Sequence, residues 1–331
     1  MDYKKLFTQF NNQNILVIGD VMIDAYLWGK VERISPEAPV PICAVSKEED
    51  RLGGAANVAL NIKALGATPI LCSVIGKDIK GYLMYSLLEK EQMSTEGIMS
   101  SEQRQTTVKT RVLGNNVQML RVDEEIITPL SEQDEKLFIE KTKNIIDVKH
   151  IDAIVFQDYD KGVITQKVIS ALVSYANEKK IPTTVDPKKR NFLLYKDVTL
   201  FKPNLKELKE GLKIEFPLPL KDNLQDAANL LQQRLRIQMV FITLSESGVF
   251  YADYNLKKDN MQIIPAHKRE IVDVSGAGDT VISVATVCLA LQLALKDIAQ
   301  ISNLAGGLVC QKVGVVPVNK GELLSEVLDK L

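Results

Sequence analysis

The stretch Asn14–Asp20, "NILVIGD", followed by residues 54–66, "GAANVALNIKALG", and 68–76, "TPILCSVIG", decides the fold class. The first piece is a short apolar run rich in β-branched residues, ended by Gly19 and Asp20, which reads as a buried strand. The second has helical spacing and closes on Gly66, a glycine just past a helix end. The third is a strand again. The same alternation continues through "IDAIVFQD" (151–158), a helix at 165–179, "IPTTVDP" (181–187), "VTLFKPN" (198–204), a helix at 222–235 and "QMVFITLSESG" (238–248). Strands alternating with amphipathic helices predict an α/β chain with a parallel sheet covered on both faces.

Two segments break the pattern. Residues 25–50 carry three prolines among short alternating runs, and residues 105–123, "QTTVKTRVLGNNVQMLRVD", read as a hairpin turning at Gly114-Asn115-Asn116. Such strands pair as a small sheet beside the main one, a natural lid over a cleft, or stand as surface hairpins without a role. No repeat or low-complexity linker divides the 331 residues, so 1–331 is read as one domain.

Bulk composition narrows the function. With 46% hydrophobic and 25% charged residues and a net charge of −1, the chain has the make-up of a soluble globular protein without the clustered cations of a nucleic-acid footprint. The start, "MDYKKLFTQF", is too polar for a signal peptide, and the apolar run after Asp279, "VISVATVCLALQLAL", is interrupted by Ser283, Thr286 and Gln292. It reads as a core helix rather than a membrane span. Cys43, Cys72, Cys288 and Cys310 are scattered and form no CxxC pair, so reduced thiols and a cytoplasmic setting are expected. Two histidines in the whole chain argue against a His-rich metal site or a His-based triad.

The chemistry points to residues 272–280, "VDVSGAGDT". Glycines let backbone amides approach a ligand that side chains would exclude, and a helix N-terminus has unpaired N–H groups and a dipole that favours anions. Gly276, Ala277 and Gly278 would make an anion hole for a phosphoryl group in transfer, with Asp279 as the base for an attacking hydroxyl. Taken alone, G-x-G-D is also a tight turn with an Asp cap. No Walker loop is present, since neither Gly29-Lys30 nor Gly76-Lys77 continues into Ser or Thr, and no protein-kinase motif set occurs. "VIGDVMID" lacks the G-x-G-x-x-G of dinucleotide enzymes.

The company of the motif is informative. "GGAANVALNIKALG", "KPNLKE", "ITLSESGV" and "DVSGAGDT" occur in that order, and together they resemble the ribokinase-like (PfkB) family of sugar kinases over nearly the whole chain. "RISPEAPVP" (33–41), "TTVKTRVLGNNVQMLRVDEE" (106–125) and "QDYDKGVIT" (157–165) are similar to the kinase portion of the bacterial heptose-phosphate kinase and ADP-heptose synthase. The motif of that enzyme's nucleotidyltransferase part does not occur before Leu331, which suggests a stand-alone kinase.

That resemblance implies a ribokinase-like three-layer sandwich with a β lid, ATP and Mg2+ as cofactors, and transfer to the anomeric hydroxyl of heptose 7-phosphate. It implies a homodimer without nucleic-acid or membrane partners. Asp279 matches the base and Gly276 to Gly278 the anion hole. "KPNLKE" supplies Asn204, Leu205, Lys206 and Glu207 for nucleotide phosphates, with Glu207 reaching magnesium through water. "TLSESG" supplies Thr243, Ser245 and Gly248 for ATP, and Asn303 borders the adenine pocket. On the sugar side stand Asp24, Gly53, Gly54 and Asn57. Lys109, Arg111, Arg121 and Lys161 are candidates for the sugar phosphate, each also readable as a solvated surface charge. Lys188 and Arg190 form a further cationic patch. Another sugar, sugar phosphate or nucleoside as acceptor, or a sugar-binding regulator without catalysis, are the competing readings.

Overall fold

Strand β1 (Asn14–Gly19) shows why the sheet is covered on both faces. Its side chains alternate between two separate apolar cores: Ile15 and Val17 enter one, Leu16 and Ile18 the other. A strand buried on both sides reads as a continuous apolar run, as "NILVIG" does. The computed structural model describes residues 1–115, 117–216, 221–256 and 260–331.

In chain order, α1 (Tyr3–Gln9) precedes β1, and β2 (Val21–Ile34) and β3 (Pro41–Gly54) follow before α2 (Ala55–Ala64). Next come β4 (Thr68–Gly76), α3 (Ile79–Lys90), β5 (Ile98–Ser101), β6 (Val108–Gly114), β7 (Val117–Glu124) and α4 (Glu132–Val148). The central part holds β8 (Ala153–Gln157), α5 (Gln166–Glu178), β9 (Thr183–Asp186), β10 (Leu200–Phe201), α6 (Leu205–Leu212) and α7 (Lys221–Leu235). The chain closes with β11 (Met239–Thr243), β12 (Val249–Asp253), β13 (Met261–Ile264), α8 (Ala277–Ala290), α9 (Leu295–Val309) and α10 (Lys320–Lys330).

The main sheet runs β13-β12-β11-β10-β9-β8-β1-β4-β5. Pairings from β11 across to β5 are parallel, whereas β11–β12 and β12–β13 are antiparallel, so the expected parallel sheet is mostly parallel with an antiparallel edge. One face is covered by α1, α2, α3, α8, α9 and α10, the other by α4, α5, α6 and α7. The order reverses at β1, which lies between β8 and β4. Outside the carboxyl ends of the strands at such a reversal, loops diverge and leave a crevice.

Helix α8 buries every residue from Asp279 to Leu289, as an all-round apolar helix must. It is shorter than the apolar run suggested. It ends at Ala290, Gln292 takes a left-handed conformation (φ 57°), and the next helix, α9, begins at Leu295, the last residue of the run. Among the described residues no helix is long and apolar enough to cross a membrane. All four cysteines are free, three of them buried and Cys43 partly so.

The two pattern-breaking segments form a second sheet, ordered β3-β2-β6-β7. The hairpin of β6 and β7 turns where the sequence placed it, with Gly114 opposite Val117; of its turn residues, Asn116 lies outside the described residues. Asn115 is left-handed (φ 53°), and its side-chain amide bonds both the N–H (3.3 Å) and the carbonyl (3.0 Å) of Val31, pinning the turn to β2.

Candidate functional site

The strands β1, β8, β9, β10 and β11 end on one edge of the main sheet, and the start of α8 is set against it. Gly276 caps α8 in the left-handed region (φ 78°), a conformation that costs other residues roughly 1–2 kcal/mol. A Cβ there would lie 3.2 Å from Val315 Cγ1 and 3.3 Å from Asn57 Nδ2. Gly278 differs: a Cβ would meet only Asp186 Oδ2, at 3.9 Å, so the space over it is open. Ala277 donates its N–H to Val274 O at 3.3 Å, which withdraws one amide from the three-residue hole expected above. The amides of Gly278 and Asp279, in the first turn, have no acceptor within the helix. Asp273, just upstream, accepts from Ser275 N (2.9 Å) and Gly314 N (2.8 Å) and so ties the motif to the segment after α9.

Asp279 is buried and held from three directions. Asn57 Nδ2 donates to Oδ2 at 2.7 Å, and Tyr159 OH and Gln157 Nε2 donate to Oδ1 at 2.7 and 3.2 Å. Burial pushes its pKa up to about 6; the hydrogen bonds from Asn57 and Tyr159 oppose that, Asp186 adds to it and Lys188 opposes it. A carboxylate so placed is charged at neutral pH yet basic enough to accept a proton. Gln157 also donates to Asp186 Oδ2 (3.3 Å), which lies 3.2 Å from the buried ammonium of Lys202. Lys188 stands 3.8 Å from Asp186 Oδ1 and pairs with Glu207. Although burial works against the charge on Lys188, the carboxylates of Asp186 and then Glu207 raise its pKa. One polar web thus joins "GGAANVA", "GAGD", "QDYDKG", "VDPKK" and "KPNLKE".

On the side expected for the nucleotide, Asn204 and Glu207 form a capping box for α6. Glu207 N donates to Asn204 Oδ1 (2.8 Å) and Asn204 N to Glu207 Oε2 (2.9 Å). With Lys188 on its other oxygen, Glu207 has both carboxylate oxygens engaged. Among the described residues no group of three or more His, Cys, Asp or Glu is placed to hold a metal ion. The donor set does not fit a resident magnesium centre, since Glu207, the residue expected to reach the ion through water, is already bonded at both oxygens. Leu205 packs on the core, while Lys206 is 83% exposed and 3.9 Å from Glu210, so neither extends the polar web. Thr243 bridges Asn204. Ser245 (φ 54°) and Gly248 (φ 94°) make a tight turn against Ile264 and Ala266, and Asn303 donates to Pro265 O (2.9 Å), which brings these three expected residues into one neighbourhood.

On the side expected for the sugar, Asp24 is buried in β2 and pairs with Arg111 across to β6. A Cβ at Gly53 would come within 2.6 Å of Asp24 Oδ2 and 2.9 Å of Met22 Cγ, so a side chain there would displace Asp24 or Met22. Gly54 (φ 60°) lets Asp20 O accept from Ala55 N at 2.9 Å, which opens α2 and sets Asn57 toward Asp279. The four expected phosphate-binding cations are each matched by carboxylates. Lys109 binds Asp123 (2.8 Å) and Glu125 (2.9 Å), Lys161 binds Glu125 (3.0 Å), Arg121 binds Asp123 (2.8 Å), and Arg111 binds Asp24. Arg190 engages Asp160 and Ile127 O rather than joining Lys188. Tyr159, Gln157, Asp186 and Lys202 were not among the residues picked from sequence. Their local signals were the quoted "QDYDKGVIT" and "KPNLKE", which contain Gln157, Tyr159 and Lys202, and an acid at a strand end before proline in Asp186-Pro187.

A family model described as pfkB family carbohydrate kinase matches residues 12–320. Bifunctional protein HldE of Helicobacter pylori (strain HPAG1) is 39% identical over 306 residues, covering 91% of this chain and 64% of that protein. HldE of Wolinella succinogenes is 38% identical over 309 residues, 93% of this chain and 63% of that one. The chain therefore spans less than two thirds of the length of these curated relatives. Among solved structures, Escherichia coli phosphofructokinase-2 in complex with fructose-6-phosphate superposes with a TM-score of 0.74 at 18% identity, covering 96% of this chain and 99% of that one. Arabidopsis thaliana ribokinase complexed with ribose and ATP gives 0.70 at 16% identity, covering 94% and 98%.

Proposed function

This chain belongs to the pfkB family of carbohydrate kinases, and from that premise we propose that it phosphorylates D-glycero-D-manno-heptose 7-phosphate at the anomeric hydroxyl. ATP is the donor and the 1,7-bisphosphate the product, a step toward ADP-heptose. The observation that carries the chemistry is Asp279: a buried carboxylate in the first turn of α8, held by Asn57, Tyr159 and Gln157 beside the open space over Gly278. The choice of sugar is supported by the heptose-kinase-like segments at 33–41 and 106–125 and by 39% identity to HldE.

The sugar hydroxyl gives its proton to Asp279 as its oxygen attacks the γ-phosphorus. An anomeric hydroxyl is more acidic than an ordinary alcohol, so a carboxylate suffices as base. Phosphoryl transfer asks mainly for alignment and for neutralising charge. The first-turn amides and dipole of α8 supply that at the transferring group, and Lys188 at the donor phosphates. Magnesium fits this site only as an ion brought by the nucleotide's own phosphates. The four-stranded sheet acts as the lid, with Asp24 gripping sugar hydroxyls. The sugar phosphate is bound by lid cations that exchange Asp123 and Glu125 for it. The exposed apolar side chains of β7 (Val117, Met119, Leu120, Val122) support a homodimer, and the setting is cytoplasmic.

A coupled assay across heptose, hexose and pentose phosphates tests the reading. The heptose 7-phosphate should give the highest kcat/KM, with product phosphorylated at carbon 1. A ketose or pentose phosphate preferred by about tenfold or more would assign the kinase to another acceptor.

A further inference from the structure

A carboxylate has room for about four hydrogen bonds, two on each oxygen. On Asp279, Oδ1 already receives two, from Tyr159 OH (2.7 Å) and Gln157 Nε2 (3.2 Å). Oδ2 receives one, from Asn57 Nδ2 (2.7 Å). The donors are fixed in direction. Val318 N can only donate, and it gives its hydrogen to Asn61 Oδ1 at 3.0 Å. Asn61 must then turn its Nδ2 to Asn57, whose carbonyl and Oδ1 accept at 3.0 and 3.3 Å, which leaves Asn57 Nδ2 facing Asp279. Gln157 likewise presents Nε2, because two carboxylates, Asp279 and Asp186, lie on that side.

We infer that Tyr159 is a positioning residue that, with Gln157, saturates Oδ1 of Asp279 and leaves Oδ2 as the oxygen that takes the acceptor's proton. The inference rests on the reading of Asp279 as the base. In the step, the acceptor O–H proton passes to Oδ2 while the acceptor oxygen bonds to the γ-phosphorus. The bond from that phosphorus to the bridging oxygen breaks, and ADP leaves with the electron pair. Tyr159 keeps its own proton throughout. Burial, then the neighbouring charges of Asp279 and Asp186, hold the phenol well above its usual pKa. The charged groups facing Asp279 are Asp186 and Lys188 from the β9 end, with Lys202 behind Asp186, and Asp24 beside the phenol from β2.

The test is the pH profile of kcat/KM in Tyr159→Phe, which keeps the ring and removes one hydrogen bond to the charged form of the base. The acid limb should move up by about one pH unit, with a smaller loss well above it. Substituting 3-fluorotyrosine at position 159 keeps the fold and strengthens donation, so the limb should move down. A profile unmoved in both proteins, each shown folded by its melting temperature, overturns the inference. Asp279→Asn separates the two readings. If it retains wild-type transfer, the base is elsewhere and both fail. If it is inactive while both Tyr159 variants keep the wild-type profile, the role of Tyr159 alone fails.

Discussion

Gly278→Val separates what the start of α8 does for the fold from what it does for transfer. Gly278 is the second residue of α8 with an ordinary helical backbone, and a Cβ there meets nothing nearer than Asp186 Oδ2 at 3.9 Å. The fold therefore has room for the first carbon of a side chain. Valine is a better helix former than glycine by about 0.4 kcal/mol, so stability should stay within about 0.5 kcal/mol of wild type. Transfer should not survive as well. If the γ-phosphoryl group occupies the space over Gly278, a branched side chain excludes it and removes it from the amides, a loss of about 10²–10³-fold in turnover. Nucleotide affinity should change little, because the residues expected to hold the nucleoside, Ser245, Gly248 and Asn303, gather around Ile264 to Ala266 rather than over Gly278. Gly66 is unsuited as a control, since its φ is 94° and a Cβ would lie 2.2 Å from Asn11 Oδ1. Gly321, second in α10 and exposed, is the matched one: its Cβ would meet only Asn319 Oδ1, at 3.3 Å. The assay compares single-turnover transfer, nucleotide affinity and melting temperature in Gly278→Val and Gly321→Val. Turnover in Gly278→Val within about tenfold of wild type, or a loss that follows unfolding, refutes the anion-site role.

Gly276→Ala should do the opposite, costing about 1–2 kcal/mol in urea denaturation because its left-handed backbone resists a side chain, and lowering activity by pushing Asn57 from Asp279; unchanged stability would contradict the cap geometry. Gly53→Ala places a Cβ 2.6 Å from Asp24 Oδ2 and should raise KM for the sugar phosphate by about tenfold while leaving KM for ATP nearly unchanged; equal effects on both would remove Asp24 from the sugar site. The acid limb of wild-type kcat/KM should lie near pH 6, the value to which burial raises Asp279, falling about tenfold per pH unit below it. For stability the same shift works in the other direction: the folded state holds this proton more tightly than the unfolded one, so the group's contribution is fully present below the ordinary aspartate value of 3.8 and is lost as pH rises through about 6. A limb near 4 would mean that Asp279 is solvated.

Legibility tracked the range of the interactions. The alternation of "NILVIG" with "GAANVALNIKALG" depends on near neighbours, and it announced the layered sheet. The β6–β7 hairpin was equally local, with its turn carried by Gly114 and Asn115. Residues whose neighbours depend on strand order were not legible. Tyr159 and Gln157 reach Asp279 only because β8 lies next to β1 at the reversal of the sheet, and Asp186 joins them because β9 follows β8. Lys109 and Arg121 looked like free cations in the sequence. The register that sets Lys109 opposite Asp123 and Arg111 opposite Arg121 shows why acids accompany them: two facing arginines need carboxylates between them and their neighbours. Asn57 was read as a sugar contact from its motif, and its bond to Asp279 across 222 residues could not have been read from it.

Asp279→Asn is the most direct test that this chain transfers phosphate through a base at the start of α8. The amide keeps the shape and cannot take the acceptor's proton. Single-turnover transfer from ATP to the heptose 7-phosphate is measured at about pH 8, where the wild-type carboxylate is charged. The account predicts a fall of about 10²–10⁴-fold or more, with nucleotide affinity and melting temperature close to wild type. Transfer within about tenfold of wild type in a folded Asp279→Asn protein would contradict it.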